Sequence, residues 1–222
     1  MIFYRFVRAV LVGLAHLLFG LEVRGAEKLP DGVYILAPTH RSLLDIPFAA
    51  GVTARPMRFM AKKELFEKPF WHWVFNELRA VSVDRQGTDR AALRAIEAAL
   101  HDGENPVVIF PEGTRYAGRE LGPLQSGAAY VALRTGVPLV PVGIGGSEHP
   151  FLRYAGIPWF SRVCVVVGEP MVTPRADGTV KRSLIAATDR ELRVRMQACF
   201  DEAREWSATR TGRSGREPGQ RV

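Results

Sequence analysis

An α/β domain, with a mixed, largely parallel sheet flanked by helices, is the fold class this sequence predicts. Three observations predict it. Short runs dominated by Val, Ile, Leu and Met, each about the length of a buried strand, recur along the chain. Stretches with apolar residues at helical spacing lie between them, and strand alternating with helix is the pattern of a sheet covered on its faces. The composition suits such a core: 47% of the 222 residues are hydrophobic, which argues for one main domain and against general disorder.

The N-terminal stretch "MIFYRFVRAVLVGLAHLLFGLEVRG" is expected to hold a membrane-anchoring helix over residues 1–24. Its uninterrupted, mostly apolar run covers residues 9–21 and contains His16; a spanning helix needs roughly 20 residues. Arg5 and Arg8 stand beside Phe3, Tyr4 and Phe6, which suits a helix lying in one leaflet with its cations at the head groups and its rings in the acyl boundary. A buried core helix is the alternative. A signal peptide is disfavoured, because the run exits into Glu-Val-Arg-Gly without a small-x-small cleavage site.

Strands are expected at residues 33–38 ("VYILAP"), 57–61 ("MRFMA"), 80–83 ("AVSV"), 106–110 ("PVVIF"), 137–144 ("VPLVPVGI") and 162–168 ("RVCVVVG"). The clearest helix between them is "TDRAALRAIEAALHDG", where Thr88 can cap, Leu93, Ile96 and Leu100 share a face, and Gly103 can end the helix. A second runs over residues 181–206, with Leu184, Leu192, Met196, Cys199 and Phe200 on one side. The domain proper is thus expected over residues 25–206. Beyond it, "SATRTGRSGREPGQRV" (207–222) combines Gly, Ser, Pro and Arg with almost no apolar residue and reads as a basic disordered tail.

The formal net charge is +7, but it is concentrated at the two ends. The tail contributes +3 and the first 24 residues +2, leaving +2 for the body. That distribution argues against a nucleic-acid partner, which would be met by a basic face on the folded body. Cys164 and Cys199 are far apart in sequence and form no CxxC or Cys/His cluster, so no disulfide framework is indicated and a reducing compartment fits. No metal site is expected either, since His72, His101 and His149 lack carboxylate partners at ligand spacing.

Chemistry is concentrated in two segments. In "PTHRSLLDIP" (38–47), His40 and Asp45 stand five positions apart. A carboxylate on one ring nitrogen fixes the tautomer of a histidine whose other nitrogen can take a proton. Residues five apart on an ideal helix point about 140° away from each other, so His40 is expected in the turn before a helix and Asp45 in its first turns. Ser42 reads as the cap of that helix. "FPEGTR" (110–115) follows a strand, where open α/β sheets bind ligands. There Gly113 permits close backbone approach, and Arg115 offers a fork of donors suited to a phosphate. Glu112 is expected to orient Arg115 or a substrate hydroxyl. In "VPLVPVGIGGSEH", Pro141 and the Gly145-Gly146 pair would shape a pocket wall.

Together, "THRSLLD" and "FPEGTR" make the chain resemble the glycerolipid acyltransferases of the 1-acylglycerol-3-phosphate acyltransferase type. The first motif of that family is matched by His40 and Asp45 and the third, letter for letter, by residues 110–115. The second corresponds to "AVSVDR" with Arg85, and the fourth to "LVPVGI" with Pro141. The chain departs from the family at Thr39, where Asn is frequent, at Arg79, where Gly is frequent, and at Gln125 and Ser126, where a Lys is frequent.

The resemblance implies transfer of a fatty acyl group from an acyl thioester to the free hydroxyl of 1-acylglycerol-3-phosphate, giving phosphatidic acid. His40 and Asp45 would be the general-base dyad, and the nucleophile would be the acceptor's own hydroxyl. Arg85 and Arg115, with Gly113 and Thr114 of the same motif, would bind the acceptor, and the resemblance places Lys62 and Lys63 near the same site. The expected co-substrate is acyl-CoA or acyl carrier protein thioester, with no cofactor. Expected partners are a lysophospholipid acceptor and a membrane surface, giving a peripheral or monotopic enzyme on the cytoplasmic face. The alternatives are the same chemistry on another lysophospholipid or glycolipid, and a non-catalytic lipid-binding protein. "PFWHWVF" (69–75) suits either an interface or a core.

Overall fold

The computed structural model describes residues 2–83, 89–101, 103, 105–147, 162–176 and 178–211. Seven strands form one sheet: β1 (Glu22–Arg24), β2 (Ile35–Pro38), β3 (Arg58–Lys62), β4 (Val81–Val83), β5 (Val107–Val108), β6 (Leu139–Gly145) and β7 (Cys164–Val167). The helices are α1 (Ile2–Phe19), α2 (Asp45–Ala50), α3 (Pro69–Glu77), α4 (Asp89–His101), α5 (Gly127–Thr135) and α6 (Arg182–Arg210). The strand order is β1-β7-β6-β2-β5-β3-β4. Every neighbouring pair is parallel except β6 with β7, which is antiparallel.

Helices cover both faces, which is why the central strands read as continuous apolar runs. On one face, Phe19 of α1 and Phe48 of α2 meet edge-on over Leu36, Val108, Val140 and Val142. On the other, Ile96, Val131, Met196 and Phe200 of α4, α5 and α6 pack over Ile35, Val107 and Leu139. Helix α6 crosses β6 very closely, because Gly143 and Gly145 have no side chains there. A Cβ at either position would lie 2.2 to 2.4 Å from the backbone of Cys199 or Ala203.

Several expectations are corrected. The segment 1–24 is not a single helix: α1 ends at Phe19, and Glu22–Arg24 enter the sheet beside β7. Such a short, half-polar strand carries no alternation of its own and is specified by its partner. Helix α1 also has two roles. Tyr4, Ala15 and Phe19 are buried in the domain, while Ile2, Phe6, Leu11, Leu14 and Leu17 point outward. Helix α6 continues to Arg210, four residues past its expected end and into the segment read as tail. The buried Ser207 and the bonds of Arg210 to Gly20 and Glu22 tie that last turn to the fold. Thr88 lies outside the described residues.

Candidate active site

Parallel pairing of β2 with β5 brings the two chemical segments together, because both strands end on the same side of the sheet. His40 follows β2 by two residues, and Phe110 likewise follows β5 by two. Helix α2 starts at Asp45, so His40 does lie in the preceding turn. Its Nδ1 is 3.2 Å from Asp45 Oδ2. The same carboxylate oxygen accepts the backbone N–H groups of Arg41 at 2.5 Å and Ser42 at 2.6 Å. Three donors converging on one buried oxygen hold the carboxylate, and the carboxylate then orients the imidazole. The ring stacks on Phe110 with centroids 4.3 Å apart. Its side chain keeps 16% of its surface open, against none for Asp45.

Ser42 does not cap α2. The residue before the helix is Leu44, without a side-chain cap, and Ser42 Oγ instead accepts the Leu44 N–H inside the turn. Asp45 takes over the tying of the N-terminus, which makes a serine cap redundant.

Glu112 is placed differently from the expectation. It is buried, and its bonds run to three groups of the fold. Oε1 accepts the His40 N–H at 3.0 Å, while Oε2 accepts Arg41 Nη1 and the Gly122 N–H, each at 2.8 Å. Arg41, also fully buried, donates in addition to the carbonyls of His40 and Glu120 and lies over the Phe200 ring. A charge is retained in such surroundings only when it is paired and hydrogen-bonded. Glu112 therefore clamps the His40 turn to the loop after β5 and does not orient Arg115. The Tyr116 N–H completes the clamp by donating to the His40 carbonyl. Behind it, Arg193 and Gln197 of α6 bond the backbone of residues 119–122. Sequence reading missed Arg41, Arg193 and Gln197, since nothing local tells an inward arginine from a solvated one.

The remaining residues are dispersed around this centre. Gly113 has φ +66, a turn conformation that places it under the Gln125 side chain. Thr114 and Arg115 are exposed just beyond it. Lys63 is exposed in the short helical turn after β3, at the same end of the sheet. Pro141 is buried in β6 opposite Ala37, so it backs the site from inside the sheet. Thr39 is buried too, and its hydroxyl accepts the Ile144 N–H. Arg85 and His149 lie outside the described residues, as does the Lys62 side chain.

The arrangement can move a proton. An imidazole with one nitrogen fixed on a carboxylate and partial exposure is suited to general-base work. Among the described residues, no group of three or more His, Cys, Asp or Glu side chains could hold a metal ion.

The acyltransferase family model matches residues 20–145, a span that contains His40, Asp45 and residues 110–115. The 1-acyl-sn-glycerol-3-phosphate acyltransferase of Bacillus subtilis (strain 168) is 32% identical over 171 residues, covering 76% of this chain and 82% of that one. Its Pseudomonas aeruginosa namesake is 28% identical over 186 residues, covering 82% and 67%. In three dimensions, the 1-acyl-sn-glycerophosphate acyltransferase of Thermotoga maritima superposes with a TM-score of 0.68 at 26% identity, over 90% of this chain and 80% of that one. With the matched domain enclosing the His40 turn and the loop it is clamped to, the chain belongs to the 1-acylglycerol-3-phosphate acyltransferase family of glycerolipid acyltransferases.

Proposed function

We propose that this enzyme transfers an acyl group from a thioester to the hydroxyl of 1-acylglycerol-3-phosphate, forming phosphatidic acid, with His40 and Asp45 as its base dyad. The observation that carries the reading is the 3.2 Å contact between His40 Nδ1 and Asp45 Oδ2 at an open strand end. His40 Nε2 takes the hydroxyl proton as the oxygen attacks the thioester carbonyl. A tetrahedral intermediate forms. Its collapse breaks the carbon–sulfur bond, and the imidazolium returns the proton to the leaving thiolate. The exchange is redox-neutral, so acyl-CoA or acyl carrier protein thioester serves as co-substrate and no cofactor is needed. Arg115, with Gly113 and Thr114, receives the acceptor's phosphate, with Arg85, Lys62 and Lys63 as further cations and Pro141 as the rear wall.

The enzyme works at a membrane surface, on the cytoplasmic face. Helix α1 presents Ile2, Phe6, Leu14 and Leu17 outward, and Phe3 extends that face to Trp73 of α3 with ring centroids 4.8 Å apart. Phe70 and Trp71 are exposed beside it. Leu43 and Ile46, on the His40 turn itself, are also exposed. Apolar and aromatic groups gathered in this way suit the interface where lysolipid and product reside.

The test is acyl transfer by purified protein in vesicles, with acyl-CoA and acyl carrier protein thioesters offered to several lysolipids. Wild type is expected to acylate lysophosphatidic acid, and His40→Ala to lose at least about 10²-fold in rate. Transfer to another lysolipid would replace the acceptor and keep the chemistry. If no acceptor is acylated in a His40-dependent way, the catalytic reading is lost.

A further inference from the structure

We propose that Arg193 and Gln197 of α6 are positioning residues for the acyl transfer: by fixing the loop 119–122 they set, through Glu112, where the His40 ring stands and hence how fast it works. This deepens the reading of His40 as the base and rests on it.

Residues 115–125 are neither helix nor strand, so the backbone polar groups of this loop need partners other than a ladder. Helix α6 supplies them. Arg193, Gln197 and Phe200 stand at i, i+4 and i+7 and therefore share a face of the helix. Arg193 Nη1 donates to the Gly122 carbonyl, and Nη2 donates to the Leu121 carbonyl at 2.6 Å. Gln197 Oε1 accepts the Leu121 N–H at 2.9 Å, and its Nε2 donates to the Arg119 carbonyl at 2.9 Å. Leu121 thus has both backbone groups held by α6, and its buried side chain belongs to the same cluster as Leu192, Met196 and Phe200.

Three short routes lead from this loop to the base. In the first, Gly122 gives its carbonyl to Arg193 and its N–H to Glu112 Oε2 at 2.8 Å, and Glu112 Oε1 accepts the His40 N–H at 3.0 Å. The second runs through Arg41. Its Nη2 donates to the Glu120 carbonyl at 3.3 Å, its Nη1 to the His40 carbonyl at 3.1 Å, and its guanidinium lies 4.7 Å from the centroid of the Phe200 ring. In the third, Gly122 sits against the Tyr116 ring so closely that a Cβ would come within 2.3 Å of it, and the Tyr116 N–H donates to the His40 carbonyl at 3.1 Å. Each route ends on the backbone of His40. Asp45 turns the ring, but the backbone decides where the ring starts.

Two donors of one guanidinium on consecutive carbonyls fix the loop in orientation as well as in distance, which the point charge of a lysine does not do. A misplacement of about 1 Å can cost roughly 10²-fold in rate, so residues without contact to the reacting atoms can still set it. Arg193 and Gln197 also lie outside residues 20–145, the span that the family model matches. The support for the base therefore comes partly from a helix beyond that span.

The test compares Arg193→Met, Arg193→Lys and Gln197→Leu with Arg195→Met, which removes the same charge from a residue whose partner, Glu191, is on the same helix. Steady-state acyl transfer in detergent is measured well below the melting temperature of every variant. The ring signals of isotope-labelled histidines are recorded by NMR on the same proteins, that of His40 being identified by its loss in His40→Ala. Arg193→Met and Gln197→Leu are expected to lower kcat about tenfold while KM for donor and acceptor stays within about twofold, and each is expected to shift the His40 signal. Arg193→Lys, which keeps one donor, should recover part of the loss, and Arg195→Met should match wild type in both readouts. Should Arg193→Met not fold, Arg193→Lys and Gln197→Leu carry the same comparison. A fall in kcat with an unmoved His40 signal overturns the proposal, because a loss of folded enzyme would look the same. Unchanged kcat in both Arg193→Met and Gln197→Leu overturns it outright, and equal effects in Arg195→Met replace it by a general effect of charge on α6. If wild type acylates no lysolipid, the reading of His40 as the base fails, whereas the ring signal still decides whether α6 positions that residue.

Discussion

His40 has its chain position set from three directions. Its N–H is held by Glu112, its carbonyl by Tyr116 and Arg41, and its ring by Asp45. Of these, the Arg41–Glu112 pair is buried on both sides, so breaking it strands a charge. Glu112→Gln is expected to cost about 3–5 kcal/mol of stability, read as a lowered denaturant midpoint. Replacing Arg41 by Met in the same chain should recover part of that loss, because the stranded charge disappears. If the double variant is no better than Glu112→Gln, the pair is not the source of the loss. The two thiols give an independent check on burial. Desolvation raises both, Cys199 to about 11, so little thiolate exists near about pH 8, below the ordinary value of roughly 8.5. Both are expected to resist a thiol-specific reagent until the protein unfolds, and prompt native labelling would contradict the packing of α6 on β6.

At the scale of elements, the close contact between α6 and β6 depends on absent side chains. A Cβ at Gly143 would meet the backbone of Cys199 and Phe200 within 2.3 Å. Backbone cannot rotate away as a side chain can. Gly143→Ala is expected to lower stability by about 1–3 kcal/mol as an overpacked substitution. Helix α1 supplies the contrast, since Gly13 is exposed in mid-helix and a methyl group added there would meet nothing within 4 Å. Gly13→Ala is therefore expected to stabilise by about 0.5–1 kcal/mol through helix propensity. Thermal melts of the two variants should move in opposite directions. The same α6 contact matters for the site, because Arg193 and Gln197, six and two residues before Cys199, hold the loop that Glu112 and Arg41 clamp.

For the whole molecule, α1 divides its side chains between the domain core and the outside, and the proposed membrane attachment rests on that outer side. Tyr4 accepts the Met57 N–H and Arg8 donates to the Ala50 and Thr53 carbonyls, which secures the helix to the domain. Its other side leaves Phe6 and Leu17 exposed. The paired substitution Phe6→Ser and Leu17→Ser removes apolar area without touching the core. It is expected to weaken binding to neutral vesicles by more than about tenfold, since each buried large side chain is worth roughly 1.5–3 kcal/mol, while leaving the melting temperature unchanged. Wild-type vesicle binding by that variant would mean that α1 does not face the bilayer. Deleting α1 is the less informative experiment, because Tyr4, Ala15 and Phe19 leave the core with it.

The sequence by itself determined the α/β class and the places of the main strands and long helices. Those signals are local, written in apolar periodicity and in runs of β-branched residues. It also determined the turn that joins His40 to Asp45, since five residues set the geometry of that pair. Only the tertiary structure decided the role of Glu112, the inward turn of Arg41, the entry of Glu22–Arg24 into the sheet and the double use of α1. Each of these depends on a partner far away in the chain. A charged or apolar side chain has one energy in water and another against a specific partner, and only the fold says which surroundings it has.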